Sequence, residues 1–209
     1  MSALNSFFEV VFTFFQEMFT YALIAIFLEN TIFSRALGTS TALYVIRKKY
    51  NIFLFGGVMT LIMAAASVLT YLVYPFLKGL SFSYYIVPPV FVAIIGVVYV
   101  GALLLTRSLV HKRREEILQL IHVSAFNCAV LGALLLATGI PFAGFGVYLG
   151  FGVGSAIGFT FAAYLISIAS ERLNSEDIPP AFRGFPITLI YIGIISLALY
   201  GLIGHTLPF

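Results

Sequence analysis

Residues Ile117–Thr138 read ILQLIHVSAFNCAVLGALLLAT, apolar enough to enter a bilayer yet carrying His122, Asn127 and Cys128 near the middle. Asn127-Cys128 divides the stretch into two apolar runs of roughly 10 residues, each about 15 Å long as a helix and half the depth of a hydrocarbon core. An uninterrupted membrane helix gains nothing from polar groups at that depth, because each costs free energy unless partnered. A broken segment is tolerated where it lines a buried site between neighbouring helices. Cys128 is the only cysteine of the chain, so no internal disulfide can form. The ordinary reading of such a residue is a small thiol packed in a span.

Composition sets the class around this stretch. Hydrophobic residues make up 61% of the 209 residues and charged residues 9%, with a mean hydropathy of +1.08. A soluble domain carries far more charge, so the chain is read as a polytopic α-helical membrane protein. The net charge of +3 does not point to nucleic acid, since the basic residues sit in short loops between apolar spans. The opening MSALNSFFEV has neither a basic n-region nor a small-residue cleavage site, so no cleaved signal peptide is expected.

Residues 1–17 are rich in Phe but hold Glu9, Gln16 and Glu17, and are read as an amphipathic, interfacial lead-in. The apolar region Met18–Ile46 is interrupted by Glu29-Asn30 and by Arg35, which leaves two runs of 11 residues, MFTYALIAIFL and ALGTSTALYVI. That is again half a membrane on each side of a break. Arg47-Lys48-Lys49 closes the region. Further spans are expected at Ile52–Leu77 and, with polar residues and Pro88-Pro89 leading in, at Ile86–Thr106. The charged loop Arg107–Glu116 precedes the broken stretch, which ends at the uncharged Gly139-Ile140-Pro141. Two more spans follow, Phe142–Ser170 and Phe185–Gly204, with the polar loop Glu171–Gly184 between them.

The halves match: a broken segment, then two plain spans, then the same again. Asn30 and Asn127 lie 97 residues apart. The expectation is an all-α membrane protein of six transmembrane segments, built as two inverted three-span repeats over 18–110 and 111–209, with the first and fourth segments broken near mid-membrane. Three spans per half turn the second half upside down. Loops after spans one, three and five carry the basic excess, which places them in the cytoplasm and both chain ends outside. Gly146, Gly150, Gly154 and Gly158 recur every four residues on one helix face, a pattern that lets another backbone approach closely.

The loop sequence Glu171-Arg172-Leu173 followed by Asp177-Ile178-Pro179-Pro180-Ala181-Phe182-Arg183-Gly184 resembles the signature loop of the integral-membrane subunits of Rnf and Nqr electron-transport complexes. The span after it, ITLIYIGIISLALYGLIG, continues the similarity, as does Asn127-Cys128-Ala129-Val130-Leu131-Gly132. In the first broken segment Glu29-Asn30, Arg35 and Leu37-Gly38 fall where the family places comparable residues. The N-out orientation is similar to that of the Rnf A-type subunit rather than its inverted E-type partner. The resemblance implies a membrane subunit, without catalysis of its own, of an ion-translocating oxidoreductase in a prokaryotic cytoplasmic membrane. It also implies a homologous inverted membrane subunit, flavoprotein and ferredoxin-like subunits and membrane lipid as partners, and no nucleic acid.

In the family, two cysteines of each subunit face those of the homologous partner in what resembles a four-cysteine frame for a shared [2Fe–2S] cluster. Here Leu37-Gly38-Thr39 is followed by Ser40 in place of the first cysteine. Iron–sulfur clusters take thiolates, and a serine hydroxyl holds its proton far more firmly. Cys128 is then the one metal ligand, Ser40 the degenerate one, and Asn127, Gly38 and Gly132 their setting. The alternative is a divergent relative without a cluster, working as a transporter or assembly scaffold.

Glu29, Asn30, Arg35 and His122 are the polar lining. Glu29 and Arg35 are six residues apart, on opposite-leaning faces of a straight helix, so a break between them is expected to bring them together as a buried pair. Such a pair either holds the fold or serves ion passage, and Glu29 is the first choice for ion or proton coupling. His122 reads as a hydrogen-bonded packing histidine before a ligand, and His111–Glu116 as a topology determinant before a docking surface for a soluble subunit. No phosphate-cradling glycine loop, metal-binding His pair or Ser-His-Asp set occurs at a credible depth, so nucleotide chemistry is left to partner subunits.

Overall fold

The computed structural model describes residues 2–109, 112–173, 175 and 178–203, with backbone alone at 2–6 and 202–203. His111, Asp177 and Gly204, named above, lie outside them. Among the described residues the fold is all helical, with eight α-helices and one π-helical segment. Helix α1 (Ser2–Leu23) runs directly into the π-helical segment Ile24–Leu28, and an irregular stretch over 29–38 leads to α2 (Thr39–Arg47). Then follow α3 (Ile52–Lys78), α4 (Ser83–Leu109), α5 (Arg114–Ala125), α6 (Cys128–Thr138), α7 (Phe145–Leu173) and α8 (Phe185–Ile203). Four helical stretches are long and apolar enough to cross a membrane, and a fifth arises if α5 and α6, bent by 48° at their junction, count as one span.

Residues 2–17 form one unbroken helix with the segment that follows, and its apolar stretch runs from Phe7 to Leu28. Glu9 and Gln16, seven residues apart, fall on one side of that helix, while Glu17 turns toward Gly144 and Gly146. Pro88 and Pro89 do not precede the third span but lie inside α4. They sit in its second turn, where only the exposed first residues lose carbonyl partners.

Helix α7 is the axis of the bundle, and its glycines explain why. A Cβ on Gly146 would stand 2.7 Å from the Phe14 carbonyl oxygen, and one on Gly154 2.5 Å from that of Ala22. Gly150 meets Met18 in the same way, and Gly158 meets Ile26. Both series climb four residues at a time, so α1 and α7 run parallel with their backbones in contact. The glycine face is therefore a packing face. Helix α3 packs on another side of α7 and runs antiparallel to it: Phe53 lies beside Tyr164 at 5.5 Å between ring centroids, Phe55 beside Phe159 at 5.8 Å and Tyr71 beside Tyr148 at 5.6 Å. Helix α3 starts where Asn51 caps it, its side chain accepting from the Phe53 and Leu54 amides.

Candidate functional site

The first break is organised by Asn30. Its Nδ2 donates to the Ile26 carbonyl at 2.8 Å and to the Gly158 carbonyl at 3.0 Å. Its Oδ1 accepts from the Ile32 amide at 3.0 Å and the Phe33 amide at 3.2 Å. An amide has two donors and two acceptor positions, so this fully buried side chain is saturated. It ends the π-helical segment and ties the irregular stretch to α7. Asn30 is thus a structural knot at mid-bundle rather than a free polar lining.

Release of the helix brings Glu29 and Arg35 together. Arg35 Nη2 and Nε donate to Glu29 Oε2 at 2.8 and 3.0 Å. A straight helix forbids this pairing. The pair is not buried within the chain: the Arg35 and Glu29 side chains remain 46% and 36% exposed. They border a cleft of about 420 Å³ between the break and α8, with Phe33 and Ser34 on one wall and Ser196 and Tyr200 on the other.

The second break falls at Phe126-Asn127. Helix α5 ends at Ala125, and Asn127 caps α6 with Oδ1 accepting from the Ala129 amide at 3.0 Å. Cys128 is therefore the first residue of α6. Across from it, Gly38 caps α2 with φ of +77°, a left-handed conformation that favours glycine. A Cβ there would lie 2.5 Å from the Phe159 ring and 2.6 Å from Asn127 Oδ1. The Gly38 amide donates to Cys128 Sγ at 3.0 Å, and Gly132 lies against the Leu37 side chain. The two breaks cross here, opposite Phe159 at the midpoint of the 29-residue α7. Two half-helix N-termini, each carrying partial positive charge, converge on one sulfur. Cys128 is exposed rather than a packed core thiol, and Ser40, one turn or less into α2, is exposed too.

His122 lies apart from the crossing. The Tyr99 hydroxyl sits 2.7 Å from its Nδ1, and Phe126 packs on Tyr99 with centroids 4.9 Å apart. The hydrogen bond expected of it is present, but the imidazole is exposed. Tyr99 carries no signal in the sequence that sets it apart from other tyrosines in spans. Several buried polar atoms at the breaks have no partner: Thr31 Oγ1, Ser124 Oγ and Asn127 Nδ2. Ordered water commonly meets such atoms. Among the described residues no three His, Cys, Asp or Glu side chains gather as a metal site. In the signature loop Arg183 Nε donates to the Ile178 carbonyl at 2.7 Å, which folds the entry of α8.

Comparison with known proteins places this geometry. The chain is 34% identical over 189 residues to the A-type subunit of the Na⁺-translocating ferredoxin:NAD⁺ oxidoreductase complex of Acetobacterium woodii, covering 88% of this chain and 95% of that protein. It is 31% identical over 181 residues to the A-type subunit of the ion-translocating oxidoreductase complex of Glaesserella parasuis, covering 85% and 91%. The corresponding protein of Azoarcus sp. is similar at 33% over 180 residues, covering 85% and 91%. A model of the Rnf-Nqr subunit membrane proteins matches residues 18–206, a range that holds both breaks, the crossing at Gly38 and Cys128 and the Arg183 loop, and the chain belongs to that family.

Proposed function

We propose that this chain is the A-type membrane subunit of an Rnf-type complex that couples electron transfer between soluble carriers to movement of Na⁺ or H⁺. The observation that carries the reading is the crossing of two broken segments at the Gly38 amide and Cys128 sulfur. Polar breaks inside a bundle are the usual place for ion and redox sites in membrane proteins. Glu29 and Arg35 are the ion-coupling pair: a half-exposed charged pair at the depth of the break is unfavourable against lipid and suits a hydrated or partner-covered path. In membrane vesicles holding the assembled complex, Glu29→Gln should lower redox-driven cation uptake at least roughly tenfold while the amount of complex is unchanged. Unchanged uptake contradicts the role given to Glu29.

The six-span inverted arrangement is part of the same proposal. It is supported by the parallel run of α1 and α7 and the antiparallel run of α3, as alternating crossings require. The basic loops around Arg47–Lys49 and Arg107–Arg114 support an orientation with both chain ends outside. Cysteines introduced at Ser2 and at Lys112, in a Cys128→Ser background, should react oppositely with an impermeant thiol reagent applied from outside. Labelling of position 112 and not of position 2 inverts the orientation.

The donor set of this chain does not fit its half of a four-thiolate cluster, since Cys128 offers one sulfur and Ser40 a hydroxyl. The site is degenerate: a [2Fe–2S] cluster shared with a homologous partner is held less firmly here than by four cysteines. Ser40 equally favours a second reading, a relative without a cluster that serves as transporter or scaffold, and iron content separates the two.

A further inference from the structure

Helix α1 has two opposite faces, and the fold uses only one. Phe14, Met18 and Ala22 press their backbone on the glycines of α7. About 180° around the helix lie Glu9, Thr13, Gln16 and Thr20, spaced four, three and four residues apart and all exposed. Thr13, Gln16 and Thr20 lie level with the first turns of α7 but turned away from it, and all four residues fall inside the apolar stretch Phe7–Leu28. Some hydroxyls elsewhere in the spans close on their own helix: Thr60, Thr160 and Thr188 each donate to the carbonyl four residues back, while Thr70 and Ser155 are buried inside the bundle without a partner. Among the described residues no such bond closes Thr13 or Thr20, no partner meets Gln16, and no ion pair meets Glu9. Hydrocarbon satisfies none of these groups, and α1 is the least covered of the candidate spans.

We propose that this row is a docking face for a membrane helix of a different protein chain, one bearing hydrogen-bonding side chains opposite Thr13, Gln16 and Thr20 and a lysine or arginine opposite Glu9. Interhelical hydrogen bonds are a main adhesive between membrane helices. Charge selects the occupant. A second copy packed side by side about a two-fold axis sets Glu9 against Glu9, like charges that repel, whereas a basic residue satisfies the carboxylate. Residues Glu9, Thr13 and Gln16 precede residues 18–206, over which the family model matches. The inference stands apart from the redox reading, because it holds for any assembly that buries α1.

The test places a photo-crosslinking amino acid at Gln16, and separately at Phe19 on the adjoining apolar side, in the full chain in its own membrane. Gln16 should give one protein adduct, mapping to a helix of another chain with Lys or Arg at the level of Glu9 and Ser, Thr, Asn or Gln below it. The yield at Phe19 should be several-fold lower. Adding Glu9→Lys and Thr13→Val to the Gln16 probe should lower the adduct roughly tenfold at an unchanged amount of chain. No protein adduct at Gln16, an adduct with a second copy of this chain, or one with a wholly apolar helix overturns the proposal.

Discussion

Gly38→Ala should lower the yield of folded chain severely and drop its thermal midpoint by roughly 6–12 °C, where the same substitution at Gly96 or Gly101 leaves both nearly unchanged. The backbone at Gly38 is left-handed, which costs an L-residue about 1–2 kcal/mol. The added methyl meets the Phe159 ring and Asn127 Oδ1 at 2.5 and 2.6 Å, and forcing that room adds about 1–3 kcal/mol. At Gly96 and Gly101 a Cβ meets nothing within 4 Å, so alanine there only improves helix propensity. Thermal unfolding of the detergent-solubilised chain followed by size exclusion reads the difference. A stable Gly38→Ala variant would show that the crossing is looser than its contacts indicate.

Asn30→Leu carries the second large effect. Leucine fills a similar volume but strands the Ile32 and Phe33 amides and the Gly158 carbonyl, all held now by one side chain. Buried groups left unmatched cost about 1–3 kcal/mol each, so the total for three is on the order of 3–9 kcal/mol. Little folded protein should reach the membrane. Asn30→Asp keeps the acceptor and loses both donors, and should fall between native and leucine in yield. If leucine were tolerated while Glu29→Gln abolished uptake, Asn30 would not be the knot that holds the break.

Much of this architecture is legible in the chain because hydrocarbon enforces it. Charge and amide groups inside apolar runs mark both breaks, and the glycines at 146, 150, 154 and 158 mark the packing face of α7. The Glu29–Arg35 pair is foreseeable because six residues of helix keep them apart and only a break joins them. In the opening helix Glu9 and Gln16 lower the local hydropathy, and their spacing of seven residues places them on one face of a continuous helix. The features hidden from the sequence depend on distant partners. Saturation of Asn30 needs Gly158, 128 residues away. The amide on the Cys128 sulfur comes from a residue 90 positions earlier, and no local pattern pairs Tyr99 with His122.

In the proposed arrangement the two breaks meet at a degenerate site, with Cys128 as its one thiolate in this chain. The direct measurement is iron per assembled complex, with the EPR spectrum of the reduced form, for the native chain, Ser40→Cys and Cys128→Ala, each co-expressed with its partner subunits. Low iron is expected in the native complex, with a clear rise and a stronger EPR signal in Ser40→Cys and no gain in Cys128→Ala. A native complex already holding two irons per subunit pair, unchanged by Ser40→Cys and emptied by Cys128→Ala, would contradict the degenerate site and make Cys128 a full ligand.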